Sequence, residues 1–200
     1  MKRISQRARK MALKKETIKN TIKEHLHKIF ELAIDTFFEE ELENILNNTN
    51  ERNLCGRLAI YLEKIAKEHK VDGYYADPEY NRKQNGQVKT ILDEEMNVVT
   101  INCDIILHSR GNIIEQDNLI AIEMKKSNRP SDEKESDKKR LRALTKESYD
   151  DIWSFDGKAL PDYVCGYILG FYLELDIRNR NCLVECYQKG VKRYDWIRDY

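Results

Sequence analysis

The chain has 200 residues, and its apolar fraction of 40% is enough for one domain with a real core and a helical extension. Lys and Arg number 35, as do Asp and Glu, so no global basic field points to a nucleic-acid partner. No apolar run approaches the roughly 18 residues of a membrane span, and the basic N-terminus lacks the apolar block of a signal peptide. We therefore expect no membrane-spanning segment.

Local charge is segregated along the first quarter of the chain. Residues 1–28 hold ten Lys or Arg and two acidic residues, whereas residues 29–51 hold seven acidic residues and no Lys or Arg. The basic segment is thus a better electrostatic candidate than the charged helix at 132–147 for contact with nucleic acid, or with an anionic surface elsewhere on an assembly.

The five cysteines form an odd set without CxxC spacing, and four lie in apolar stretches. This pattern favours buried, reduced thiols over disulfides or a zinc site. It predicts a cytoplasmic protein.

Residues 11–48 are predicted to be helical, as one helix or two, because apolar residues recur at intervals of three and four. The stripe consists of Ile18, Ile22, Leu26, Ile29, Ala33 and Phe37. We expect residues 1–49 to form an N-terminal helical extension. Its stripe packs either on the core of a domain at 50–200 or on another chain, as a homodimer or with a partner protein.

A second helix follows, and Asn50 is a plausible N-cap for it. Glu51 then lies near the positive end of the helix dipole, where a carboxylate is favourable. On this evidence alone, Glu51 is a good first-turn residue and nothing more.

The middle of the chain is rich in predicted strands. Residues 73–81 predict a short strand, which Pro78 restricts to an edge or a bulge. Asn85-Gly86 is a weak hairpin signal, residues 98–109 predict a strand, and residues 119–126 predict the next one after a turn at Gly111-Asn112.

The last third begins with a charged loop and a helix over residues 129–148, for which Ser131 and Asp132 are cap candidates. Residues 163–175 and 182–188 predict two further strands. The order helix, three strands, helix, two strands indicates a mixed α/β fold.

Glu123 and Lys125 end the apolar strand "LIAIEMKK". Strand side chains alternate, so these two project together, on the side of Leu119 and Ala121, while Ile120 and Ile122 point the other way. An acid two residues before a lysine occurs four more times, outside strong strand patterns: Glu68/Lys70, Asp132/Lys134, Asp137/Lys139 and Asp156/Lys158.

Asp104 lies among apolar residues of the preceding strand, where an unpaired carboxylate is costly to bury. A hairpin centred between residues 113 and 114 would place Asp104 opposite Glu123. Two facing carboxylates repel, and a hard divalent cation such as Mg²⁺ or Mn²⁺ removes the conflict. The alternative is an ion pair between Asp104 and Lys125, with Glu123 solvated at the strand end.

In the metal interpretation Asp104, Glu123 and the backbone carbonyl of Met124 hold the ion. The ion lowers the pKa of a bound water and stabilises charge on a phosphodiester, while Lys125 orients that water or helps it lose a proton. From spacing alone, the metal site and the ion pair have equal weight.

"CD" at 103–104 together with "IEMKK" at 122–126 resembles the PD-(D/E)xK nuclease superfamily, the restriction-endonuclease-like fold. The stretches "ERNLCGRLAIYL", "DPEYNR", "CDIILHSRG", "LIAIEMKKS" and "DKKRLRALT" resemble a group of small bacterial members. The resemblance covers about residues 50–175. It implies a mixed β-sheet core flanked by helices, in the order helix, three strands, helix, strand.

The resemblance also implies a site. Asp104 and Glu123 would be metal ligands and Lys125 the catalytic lysine, although Cys103 stands where proline is usual. Many members add a glutamate from the first core helix, for which Glu51 is the better candidate and Glu63 the runner-up.

Contacts to nucleic acid are expected from Lys126, Arg82, Lys139 and Arg142. Each has a plainer alternative as a solvated or locally paired charge. Lys126, Arg140 and Leu141 also recur in the resemblance, and for these three we favour strand-end solvation and helix packing.

The sequence as a whole predicts a Mg²⁺-dependent (or Mn²⁺-dependent) nuclease that hydrolyses phosphodiester bonds, with DNA favoured over RNA. The alternative is a non-catalytic nucleic-acid-binding or assembly module, associated with defence or a mobile element, that retains the nuclease fold.

Overall fold

The computed structural model describes residues 6–80, 90–92, 98–100, 102–147 and 165–200, and its side chains from residue 20 onward outside the two short central segments. The helices in these parts are α1 (Gln6–Leu46), α2 (Glu51–Glu68) and α3 (Ser131–Leu144). The strands are β1 (Tyr75–Pro78), β2 (Thr90–Leu92), β3 (Val98–Thr100), β4 (Ile105–His108), β5 (Asn118–Lys126), β6 (Leu169–Asp176), β7 (Asn181–Gln188) and β8 (Val191–Asp199).

Six of the strands form one mixed sheet in the order β1-β4-β5-β6-β7-β8. Neighbouring strands are antiparallel except β5 and β6, which run parallel with α3 between them in the chain. β2 and β3 pair separately. The mixed α/β class predicted from the sequence is confirmed, and β1 is an edge strand, as Pro78 required.

Helices cover both faces of the sheet. On one face α1 and α2 share a core with Ile122, Met124 and Phe171. On the other face Leu141 of α3 packs with Tyr172. The central strand β5 is consequently buried on both faces.

α1 is one continuous helix rather than two. Four residues of the predicted stripe are buried in the core of the sheet, namely Leu26, Ile29, Ala33 and Phe37. Ile22 is 41% exposed, and Ile18 lies outside the described side chains. Phe30 stacks on Phe171 with ring centroids 3.6 Å apart, so the second half of α1 belongs to this core. The domain boundary at residue 49, and a second copy or partner on α1, stay predictions.

α2 begins as the sequence indicates. The side chain of Asn50 accepts the backbone N–H of Asn53 at 2.8 Å and caps the helix, and Glu51 occupies the first turn. Leu54, Leu58 and Leu62 then recur on the face that α2 buries against α1 and the sheet.

The prediction of one strand over residues 98–109 is wrong. The segment divides into β3 and β4, which belong to different sheets. The reason lies at Asp104, whose side chain accepts the backbone N–H of Met124 at 2.8 Å. A carboxylate takes the place of a main-chain acceptor there, so the ladder between β4 and β5 begins only at Ile105.

Two further features differ from expectation. α3 begins at Ser131 after Pro130, and neither Ser131 nor Asp132 caps it with a side chain, although Asp132 lies in the acidic first turn. β8 was not predicted, because its side chains are largely exposed and lack alternating apolar residues. Asn85-Gly86 lies outside the described residues.

The cysteines are free and buried, as predicted: Cys55, Cys103, Cys165, Cys182 and Cys186. Within the described segments, no helix combines the length and the apolar character that a bilayer crossing requires.

Candidate metal centre

The register of β4 and β5 places Asp104 beside Glu123. Ile105 pairs with Ile122 and Leu107 with Ile120, so the next positions along the two strands are Asp104 and Glu123. This is the predicted register. Beyond it the register shifts at His108, and the extra residue, Leu119, joins the core under α2 rather than lying on the charged side as expected.

Three carboxylates meet at this point. Oxygen atoms of Asp104, Glu123 and Asp137 lie within 4.8 Å of one another. Glu123 is completely buried and Asp137 is 4% exposed, while Asp104 is half-buried. The sheet supplies two of the acids, and α3 supplies the third from across the layer.

Asp137 was not among the predicted site residues. It belongs to one of the acid-x-lysine pairs outside the strands, and the signal that could have found it is its position three residues before Arg140. Residues three apart share a helix face. That face is turned toward Glu123.

Among the described residues, two cations offset part of the charge of the three carboxylates. Lys125 Nζ lies 2.7 Å from Asp137 Oδ2 and 3.9 Å from Asp104 Oδ2. Arg140 Nη1 donates to Glu123 Oε1 at 2.5 Å and to Asp137 Oδ1 at 3.1 Å. Helix packing was the favoured role for Arg140, and the structure corrects it, because its guanidinium is an ion-pair partner of Glu123.

The alternative with a solvated Glu123 is also contradicted, since Glu123 has no exposed surface. Its Oε2 atom is buried and receives no hydrogen bond from an N–H or O–H donor among the described residues, and its carboxyl group lies against that of Asp104. An unpartnered carboxylate oxygen in a dry site is costly unless a cation or a proton joins it.

The pKa shifts of Glu123 and Asp104 indicate that the protein's own cations neutralise these two carboxylates only in part. Burial, followed by the neighbouring Asp104 carboxylate, raises the pKa of Glu123 well above its ordinary value, and Arg140 offsets only part of this. Burial also raises the pKa of Asp104, against the opposing effect of Lys125. Without a cation, this carboxylate pair favours retention of a proton.

The donor set fits a hard divalent ion. Asp104 and Glu123 offer carboxylate oxygens, which Mg²⁺ and Mn²⁺ prefer over nitrogen or sulfur. The carbonyl oxygen of Met124, the third predicted ligand, lies 3.5 Å from Lys125 Nζ. The residues present therefore match the metal predicted from the sequence.

The two candidate helix glutamates lie outside the three-carboxylate cluster. Glu51 Oε1 accepts the backbone N–H of Lys126 at 3.0 Å and lies 3.5 Å from Arg129 Nε. Glu63 accepts the backbone N–H of Ala76 at 3.0 Å. Glu51 thus reaches the end of β5, and its part in catalysis stays a prediction.

The predicted nucleic-acid contacts are dispersed. Lys126 Nζ donates to the carbonyl and side-chain oxygens of Asn48 at 3.0 and 2.7 Å. Lys139 is exposed on α3, and Arg142 approaches Glu135 at 3.9 Å. Arg82 lies outside the described residues. Leu141 is fully buried, so its assignment to helix packing is confirmed.

Comparisons of the chain with protein-family models, with curated proteins and with solved structures find no match.

Proposed function

We propose that this protein is a Mg²⁺- or Mn²⁺-dependent nuclease that hydrolyses phosphodiester bonds, with DNA as the favoured substrate. The observation that carries the proposal is the pairing of Asp104 with a fully buried Glu123 whose Oε2 has no described partner, next to the ammonium of Lys125. Two adjacent carboxylates that can share a cation, beside a fixed lysine, form a suitable centre for phosphoryl chemistry.

The element order supports assignment to the restriction-endonuclease-like fold of the PD-(D/E)xK superfamily. α2, β1, β4, β5, α3 and β6 follow one another as helix, three strands, helix and strand, with β2 and β3 inserted between β1 and β4. Asp104 precedes the second strand of this series, and Glu123 and Lys125 lie on the third. The assignment is by analogy of fold and motif.

The contacts indicate a separate role for each residue of the site. Asp104 and Glu123 would hold the ion, and the Met124 carbonyl, which Lys125 contacts at 3.5 Å, stays the third predicted ligand. When bound, a divalent ion stabilises charge on the phosphodiester and lowers the pKa of its water. Arg140 fixes the orientation of Glu123 through a charge-assisted hydrogen bond.

Lys125 acts as a cation in this site. Burial alone lowers the pKa of Lys125, but the charge of Asp104 and the contacts with Asp137 outweigh it and leave the pKa above its ordinary value. A protonated ammonium orients a water and stabilises a developing negative charge, whereas it cannot accept a proton. The structure thus favours the first of the two roles expected for this lysine.

The test is cleavage of supercoiled plasmid and of single-stranded DNA in Mg²⁺, in Mn²⁺ and in EDTA. Wild type is expected to cut with either metal and not in EDTA. Lys125→Ala is expected to lose about 100-fold or more in rate, the usual loss when one transition-state donor is removed. The matched control is Lys64→Ala, which alters an exposed lysine of α2.

Equal rates for Lys125→Ala and wild type would remove the catalytic assignment. Metal-independent retention of DNA without cleavage would instead establish the alternative, a non-catalytic binding or assembly module. A parallel RNA substrate decides between the two nucleic acids. We place the enzyme in the cytoplasm, because buried free thiols suit a reducing compartment.

A further inference from the structure

We propose that Asp137 is a positioning residue that holds the Lys125 ammonium away from Asp104, so that Asp104 keeps an oxygen for the divalent ion. This inference rests on the proposed function and deepens it. It assigns a role to the third carboxylate of the cluster, which the motif of two acids and a lysine does not contain.

Among the described carboxylates, the distances give Lys125 one close partner. Its Nζ lies 2.7 Å from Asp137 Oδ2 but 3.9 Å from Asp104 Oδ2. The close contact is an ion pair without hydrogen-bond geometry at Oδ2, and at this separation the two charges still neutralise each other. In a half-buried site such an attraction is much stronger than at the surface.

The three carboxylates fall into two classes by what their oxygens already contact. Asp137 has a cation at each oxygen, with Lys125 at Oδ2 and Arg140 at Oδ1. Asp104 and Glu123 each commit one oxygen to a protein hydrogen bond, from the Met124 N–H and from Arg140. Within the described residues, Asp104 Oδ1 and Glu123 Oε2 have no cation partner and are therefore left for an ion, whereas Asp137 is the counter-charge of Lys125 and Arg140.

The helix makes this arrangement rigid. Asp137 and Arg140 are three residues apart on the face of α3 that packs on the sheet, and fully buried Leu141 anchors that face beside them. Charges alternate along a continuous chain from Glu123 through Arg140 and Asp137 to Lys125. Arg140 is thus carried by α3, and Lys125, although it belongs to β5, is held by Asp137 of α3.

Removal of the Asp137 charge has a defined consequence. In the part of the chain that the structure describes, the nearest remaining carboxylate for Lys125 is Asp104, 3.9 Å away and within reach of a flexible side chain. Lys125 would then pair with a ligand and compete with the ion. If Asp137 were itself a ligand, its removal would weaken metal binding whether or not Lys125 is present.

A double-mutant cycle separates the two cases. Mn²⁺ binding is measured by calorimetry, with thermal unfolding in parallel, for wild type, Asp137→Asn, Lys125→Gln and the double variant. We expect Asp137→Asn to weaken Mn²⁺ binding about tenfold or more, and the double variant to bind within about threefold of Lys125→Gln. Asp132→Asn, an exposed acid on the same helix, is the control and should bind as wild type does.

Asp137→Ser, which also removes the negative charge that pairs with the ammonium, replaces Asp137→Asn if the latter does not fold, and the same pattern is expected. The inference is overturned if the double variant binds as weakly as Asp137→Asn, or if Asp137→Asn binds like wild type. A wild-type protein that binds no Mn²⁺ overturns the proposed function itself, which is a different outcome from either.

Discussion

Arg140 Nη1 lies 2.5 Å from Oε1 of Glu123, so a guanidinium from α3 neutralises a carboxylate that the central strand buries completely. The contact joins two layers of the fold. Arg140 occupies Oε1 of Glu123 and leaves Oε2 without a cation. The position of α3 therefore affects the chemistry of the site that the sheet carries.

The pH dependence of stability in EDTA is expected to contain a contribution from Glu123. Burial raises its pKa well above the ordinary 4.5, so the folded state disfavours the ionised form. The contribution of Glu123 to the free energy of unfolding is most favourable below pH 4.5. It declines by about 1.4 kcal/mol per pH unit as the pH rises from there toward the folded-state pKa. Glu123→Gln should lack this decline, as measured by thermal unfolding of both proteins across the pH range.

The difference between the two unfolding curves isolates Glu123 from the other titrating groups. Mg²⁺ is expected to restore stability to the wild type at high pH and to have little effect on Glu123→Gln. Parallel curves for the two proteins in EDTA would show that the pKa of Glu123 is not raised in the folded state.

Gly170 is a structural link between the sheet and α3. A Cβ added there would lie 2.9 Å from Thr145 Cγ2 and 3.3 Å from Tyr187 Cβ, so α3 or the strand must move. Gly170→Ala is expected to cost about 1–3 kcal/mol of stability. It should also weaken Mn²⁺ binding, because displaced α3 carries Arg140 away from Glu123.

Gly56 of α2 is the matched control, since no atom lies within 4 Å of its added Cβ. Gly56→Ala should stabilise the protein by about 0.5–1 kcal/mol through helix propensity and leave metal binding unchanged. Chemical denaturation measures both effects. Equal stability of the two variants would contradict the tight packing described at Gly170.

Asp77 anchors the edge strand β1 and is predicted to stabilise the fold above acid pH. Burial by itself raises the pKa of Asp77, but hydrogen bonds from Arg110 and His108 outweigh it and place the pKa below the ordinary 3.8. Arg110 contacts both oxygens of Asp77, at 2.5 and 2.7 Å, and His108 Nε2 lies 3.0 Å away.

The stabilisation from Asp77 is complete above pH 3.8 and is lost as the pH falls through the folded-state pKa. Asp77→Asn should cost about 1–2 kcal/mol at pH 7, a modest figure because Arg110 is partly exposed to solvent. Urea unfolding of both proteins at pH 7 and in acid is the measurement. A difference that persists below the folded-state pKa would contradict this origin.

The pairing of Asp104 with Glu123 could be predicted from the sequence because it depends on local rules. Strand side chains have a period of two, and the polar turn between β4 and β5 limits the register to a few choices. The same rules found the strand that carries Lys125 and the Asn50 cap. They act over a few residues and need no knowledge of the packing between layers.

Asp137 and Arg140 could not be assigned in this way. Which helix residues meet a given strand depends on how α3 crosses the sheet, and that is decided by contacts such as Leu141 and Gly170. β8 was missed for another reason. As an edge strand with exposed side chains, it carries no apolar alternation for a sequence pattern to detect.

Anomalous diffraction from a Mn²⁺-soaked crystal shows whether Asp104 and Glu123 share one divalent ion, on which the proposed function depends. We expect a peak within coordination distance of both Asp104 Oδ1 and Glu123 Oε2, with Arg140 still on Glu123 Oε1. A Mn²⁺ peak only at other sites, in a crystal that retains this arrangement of side chains, would contradict it.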